Sequence, residues 1–106
     1  MILKAIIVED EFRSRQTLNG MLKLFCKNVE VIGEAENVKE GIMLIRETNP
    51  DIVFLDIQMP ELNGIQLYKS LRQPPPVIFT TAYSEYAVEG FNLDAVDYLL
   101  KPIEYS

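Results

Sequence analysis

Short apolar runs that each end in, or lead directly to, a polar residue constrain this chain most. Leu3-Lys4-Ala5-Ile6-Ile7-Val8 runs into Glu9-Asp10, and Ile52-Val53-Phe54-Leu55 runs into Asp56. Such runs, bounded by turn-forming residues and rich in β-branched side chains, predict strands buried on both faces. Between them lie stretches with helical spacing. Leu18, Met21, Leu22 and Phe25 recur at the spacing of a helix expected over 13–24, and Ile42, Leu44 and Ile45 within one expected over 38–47, with Asn37 as its cap and Pro50 closing it. Val29 to Ala35 alternates like a partly exposed strand.

The pattern continues to the end of the chain. A short helix is expected over 65–72, Gln73-Pro74-Pro75-Pro76 is a stiff connector, and Val77 to Thr80 is a fourth strand. Residues 85–91 read as helix and 95–100 as a fifth strand. Strands alternating with helices imply a doubly wound parallel α/β sheet joined by right-handed crossovers. At 106 residues this is one domain, 1–106, and nothing repeats. After Lys101-Pro102 only four residues follow, so a final covering helix is expected to be missing and the sheet face it would cover to be marginal. Four or so large apolar side chains on such a helix would be worth about 6–12 kcal/mol.

Composition narrows the chemistry. Sixteen acids against ten bases give a formal charge of −6, which disfavours nucleic acid and anionic membranes as direct partners of this segment. No apolar stretch approaches the roughly 20 residues needed to span a bilayer. The single Cys26 cannot form an internal disulfide, so the cytoplasm is the expected compartment and helix packing the expected role. Histidine is absent, which excludes catalysis by a Ser-His or Cys-His pair.

Ligands of open parallel sheets sit beyond the carboxyl ends of the strands, where the strand order reverses. If the first and third strands are neighbours, Glu9, Asp10 and Asp56 converge there, and Asp56 is expected in a loop that Pro60 and Gly64 keep out of helix, its oxygens aimed at solvent. Three carboxylates at one edge repel unless a cation or proton intervenes, and a hard divalent ion such as magnesium prefers such oxygens. The competing reading is solvated acids at turns, since acids also favour helix starts. Asp56 could attack a phosphoryl group, Lys101 could act on phosphate as a point charge, and a hydroxyl of Thr80 or Thr81 could donate to a phosphoryl oxygen. Met21, Met43 and Met59 read as core or loop filling.

Taken together, these residues resemble the receiver domain of bacterial two-component response regulators from Lys4 to Pro102. The resemblance implies a flavodoxin-like sheet of order 2-1-3-4-5. It implies that Glu9 and Asp10 help to bind magnesium, Asp10 more directly, that Asp56 is the phospho-acceptor, and that the main-chain carbonyl of Gln58 completes the metal shell. Thr81 matches the switch hydroxyl, Lys101 the phosphate-binding lysine and Tyr98 the switch aromatic. Glu9 departs from the more frequent aspartate. The stretches Thr81-Ala82-Tyr83-Ser84-Glu85-Tyr86-Ala87 and Ala95-Val96-Asp97-Tyr98-Leu99-Leu100-Lys101-Pro102 are similar to receivers attached to LytTR-type DNA-binding domains.

The implied function is a regulator rather than an enzyme with a free substrate. A sensor histidine kinase supplies the phosphoryl group to Asp56, and the conformational change controls transcription through a DNA-binding domain outside this chain. A homodimer is also implied. Three other readings stay beside it. One is a module that signals by contact alone. Another is an aspartate-nucleophile phosphatase, for which Gln58 is a poor match because it cannot be a general acid. The third is a flavodoxin-like cofactor carrier, in which Glu9-Asp10-Glu11 would repel phosphate.

Overall fold

The computed structural model describes residues 1–57, 64–81 and 97–100, with Thr81 and 97–100 described as strand backbone. Within these limits the elements are β1 (Leu3–Val8), α1 (Phe12–Phe25), β2 (Val29–Ala35), α2 (Val38–Thr48), β3 (Ile52–Asp56), α3 (Gly64–Ser70), β4 (Val77–Thr81) and β5 (Asp97–Leu100). They form one sheet of order β2-β1-β3-β4-β5, every pair parallel. Both the doubly wound architecture and the expected strand order are therefore observed. The helix expected over 85–91 and residues 101–106 lie outside the described residues.

The apolar runs of β1 and β3 are continuous because both strands are covered on both faces. Ile6 and Val8 of β1, Val53 and Leu55 of β3, and Val77 and Phe79 of β4 join Ile45 of α2 and Ile65 and Leu67 of α3 in the larger core cluster. Ala5, Ile7 and Phe54, the alternate residues, pack with Leu18 and Leu22 of α1. The Tyr68 ring meets Phe79 edge to face at 5.7 Å, which ties α3 to β4.

Local chemistry sets the helix limits. The Asn37 side chain accepts from the Glu40 amide at 2.9 Å and donates to the Glu40 carboxylate at 2.8 Å, so the expected cap is in place. α2 ends at Thr48, with Asn49 in the left-handed conformation (φ 46°, ψ 63°) just before Pro50. α3 is shorter than expected, stopping at Ser70, and Gly64 is its first residue rather than a residue that holds the segment out of helix. The buried stripe of α1 centres on Leu18 and Leu22, whereas Phe25 is 64% exposed and Met21 only half-buried. Cys26 stands just past the helix, half-buried against the α1 side of the core, and Met43 is exposed.

One irregularity distinguishes β2. Its register against β1 slips between Ala5, which faces Val31, and Ile6, which faces Gly33, so Ile32 is the extra residue of a bulge. A Cβ at Gly33 would come within 2.8 Å of the Leu44 side chain, so the bulged strand and α2 meet closely there and a larger residue would require the Leu44 tip to shift.

Candidate acidic centre at the strand ends

β1 and β3 are hydrogen-bonded neighbours, with Val8 level with Leu55, and this pairing brings their carboxyl ends together. The carboxylates of Glu9, Asp10 and Asp56 each offer an oxygen within 4.8 Å of the others. Asp56 is the last residue of β3, opposite Thr80 of β4, and only 2% exposed. This corrects the expectation that it stands in a loop with its oxygens aimed at solvent. The strand extends one residue further because the Ile57 amide still reaches the Thr80 carbonyl at 3.0 Å.

Glu9 is also buried, at 4% exposure, while Asp10 is exposed. Burial argues against the reading of Glu9 as a solvated turn acid, because charged side chains are rarely taken out of water without compensation. Nor does the run serve as a helix-start signal in the usual way. α1 has no acid in its first turn, and Glu11 occupies the cap position without a side-chain capping bond. Instead the Glu9 carboxylate turns back to accept from the Glu11 amide at 3.1 Å, while the Glu9 amide donates to the Ala35 carbonyl of β2 at 2.9 Å.

Two unit charges at the outer limit of 4.8 Å, at an effective dielectric of about 20, repel by about 3.5 kcal/mol. Two buried carboxylates and a third at the rim form a donor set of hard oxygens, suited to a divalent cation of the magnesium or calcium type. The residues present therefore fit such an ion. Among the described residues no other group of three acids, cysteines or histidines meets the same geometric condition.

Two residues that shape this centre are not among the expected ones. Arg15, in the first turns of α1, donates from Nη1 to the Glu9 carbonyl at 2.8 Å. Its only trace in the sequence is a charged side chain three residues before Leu18, on the stripe that faces the sheet. Gly64 lies against the Asp56 peptide so closely that a Cβ would overlap the Asp56 carbonyl oxygen, and its amide donates to the Ile57 carbonyl at 2.6 Å. The glycine was legible, but not the contact that demands it.

The remaining expected positions are only partly described. Thr80 is buried beside Asp56, and Thr81 ends β4 in register with Leu100. Tyr98 lies in β5 in register with Phe79. Thr81 thus stands at the carboxyl end of β4, whereas Tyr98 is the second residue of β5; the side chains of Thr81 and Tyr98, and Gln58, Met59 and Lys101 altogether, lie outside the described residues.

Comparison with known proteins agrees with this architecture. The chain is 42% identical over 106 residues to the sensory transduction protein LytT of Bacillus cereus, covering 97% of this chain and 43% of that protein. It is 40% identical over 105 residues to the transcriptional regulatory protein BtsR of Escherichia coli, covering 97% and 44%. The chain thus spans less than half the length of these relatives. Among solved structures, the response regulator domain of Thermotoga maritima CheB superposes with a TM-score of 0.86 at 28% identity, covering 97% of this chain and 81% of that one. The response regulatory domain of mrkE from Klebsiella pneumoniae superposes with a TM-score of 0.84 at 35% identity, covering 96% and 85%. No helix among the described residues is long and apolar enough to cross a membrane. Residues 5–106 match the model of the response regulator receiver domain, and the chain belongs to that family, one of regulatory domains in two-component signalling.

Proposed function

We propose that this receiver domain takes a phosphoryl group on Asp56 from the phosphohistidine of a sensor kinase. The observation that carries the reading is a buried carboxylate at a strand end, within 4.8 Å of two further acids. An Asp56 oxygen attacks phosphorus, the bond from phosphorus to the donor breaks, and the donor leaves as imidazole, or as acetate when acetyl phosphate is the donor. Glu9, Asp10 and Asp56, with the Gln58 main-chain carbonyl, are the residues that would hold magnesium, which when bound neutralises charge on the transferred oxygens.

The scaffold suits a residue that must be held still. Asp56 hangs from a strand paired on both sides, and the Asp56 and Ile57 peptides are pinned by Gly64 and Thr80. Attack in line requires such placement, since displacement by about 1 Å can cost a hundredfold in rate. Lys101 and Thr81 act on the phosphoryl oxygens of the product. The phosphorylated side chain carries nearly two negative charges, and these attract the ammonium and the hydroxyl, drawing Thr81 toward Asp56 and letting Tyr98 pack inward.

The domain is thus a switch, not an enzyme with a free substrate: it catalyses its own phosphorylation and slow hydrolysis. The names of LytT and BtsR, together with their greater length, support an output in transcription through an attached DNA-binding domain of the LytTR type. The same reading includes a cytoplasmic location and a homodimeric active form.

Acetyl phosphate with magnesium chloride tests the reading. Intact-mass measurement should show one added phosphoryl group, lost on treatment with hydroxylamine, and Asp56→Ala should abolish it. Labelling that survives this substitution would move the acceptor elsewhere.

A further inference from the structure

Arg15 meets three different partners with its three guanidinium nitrogens. Nη1 donates to the Glu9 carbonyl at 2.8 Å, Nε lies 3.8 Å from the Glu34 carboxylate and Nη2 lies 4.0 Å from that of Glu36. Glu34 and Glu36 flank Ala35, whose carbonyl accepts the Glu9 amide at 2.9 Å. The contacts close a ring: Glu9 to Ala35, along the chain to Glu34 in β2 and Glu36 just past it, through Arg15 and back to Glu9. The guanidinium carbon stands 5.6 Å from the centroid of the Phe12 ring, and the Arg15 side chain is only 12% exposed.

We propose that Arg15 is a positioning residue for the acidic centre. The carbonyl it grips belongs to the peptide that joins Glu9 to Asp10, two of the three carboxylates brought together at the strand ends. With the amide of Glu9 fixed by β2 and its carbonyl by Arg15, both sides of the residue are held, and the direction in which the Asp10 side chain leaves the backbone is set. Groups that orient metal ligands from behind commonly govern affinity by about 10- to 100-fold. A planar fork with donors in fixed directions can serve three partners at once, which a lysine cannot.

The inference rests on the magnesium reading of the centre, and the sign of the effect separates positioning from charge. By Coulomb repulsion alone, removing a positive side chain beside a cation site would tighten binding. Loss of the clamp weakens it. Arg15→Lys keeps the charge and loses the geometry, so the clamp requires weakening there too.

The test is magnesium chloride titrated by calorimetry into the 106-residue chain, with amide hydrogen exchange followed by NMR on the same samples. We expect Arg15→Ala and Arg15→Lys each to weaken magnesium binding about 10-fold or more. Exchange at the Glu9 and Glu11 amides should accelerate, while that at Ile7 and Phe54 stays as in the parent. Glu34→Gln combined with Glu36→Gln loosens the fork and is read by exchange alone, because the loss of two negative charges weakens cation binding by itself. Exchange at the Glu9 and Glu11 amides should accelerate there too, and Arg15→Lys carries the affinity test if Arg15→Ala fails to fold. Glu30→Gln, an exposed strand residue outside the ring, should move neither.

Magnesium affinity within twofold of the parent in Arg15→Ala, tighter binding in that variant, or parent-like behaviour of Arg15→Lys would each overturn the proposal. A parent chain that binds no magnesium would remove the reading of the centre. The exchange rates at Glu9 and Glu11 would then still decide whether Arg15 holds this segment, unchanged rates overturning the clamp as well.

Discussion

Gly64 and Asp56 approach so closely that the first residue of α3 rests on the carbonyl of the last residue of β3, with no space for a Cβ between them. The obstacle is backbone, not the flexible end of a side chain, so it cannot step aside cheaply. The start of α3 and the candidate acceptor therefore move together.

Gly64→Ala should lower stability by about 1–3 kcal/mol, the usual range for forcing extra atoms into a filled space. It should also reduce the yield of phosphorylated protein from acetyl phosphate, because the Asp56 peptide is what gives way. Urea unfolding and intact-mass analysis check the two effects. Parent-like values in both would mean that α3 retreats without disturbing β3.

Charge repulsion within the acidic centre makes a contrasting prediction for Asp56→Asn. Removing one of three carboxylates whose oxygens lie within 4.8 Å of one another should raise the melting temperature in the presence of EDTA. The added stabilisation by magnesium should shrink, because a ligand that binds only the folded form stabilises according to its affinity. Thermal unfolding with and without magnesium separates the two contributions. A variant that melts below the parent in EDTA would count against mutual repulsion in the folded state.

At the start of α2, Asn37→Ala removes the acceptor for the Glu40 amide and the donor to the Glu40 carboxylate. A loss of about 0.5–2 kcal/mol is expected in urea unfolding. Glu40→Gln keeps a side-chain acceptor for the Asn37 amide group and should cost less.

The other end of the same helix depends on a backbone conformation. Asn49 has φ 46°, where asparagine and glycine are tolerated and side chains branched at Cβ are not. Asn49→Val should destabilise by about 1–2 kcal/mol, whereas Asn49→Gly should stay close to the parent. Equal stabilities of the two variants in urea would show that the left-handed turn is not retained in solution.

How far the sequence predicts these features depends on the range of the interaction involved. Apolar runs such as Ile52 to Leu55 read correctly as strands because burial on both faces leaves a continuous local signature, and the Asn37 cap is legible because it acts across three residues. The meeting of Glu9 and Asp10 with Asp56 follows once β1 and β3 are neighbours, an order that the family resemblance supplied and local pattern did not.

What escaped local reading depends on distant partners. Asp56 belongs to β3 and not to the loop because the next residue's amide bonds to the Thr80 carbonyl, a relation between strands 24 residues apart in register. Arg15 reads as one more surface charge until Glu9, Glu34 and Glu36 surround it. Phe25 fits the helical period of α1 and is nevertheless exposed, because periodicity locates a stripe only to within a residue or so of the one that packs.

The opposite rim of the sheet is stitched by main chain. There the Leu3 amide reaches the Asn28 carbonyl at 2.7 Å, the Asp51 amide the Lys4 carbonyl at 2.8 Å, and the Val53 amide the Pro76 carbonyl at 2.9 Å, while the Asp51 carboxylate accepts the Lys4 amide at 2.8 Å. Most of these seams make no demand on side-chain identity. Parallel strands thus part durability from reactivity: evolution can rewrite the connectors at the amino-terminal edge, tuning how long the molecule survives, without disturbing the chemistry at its far end.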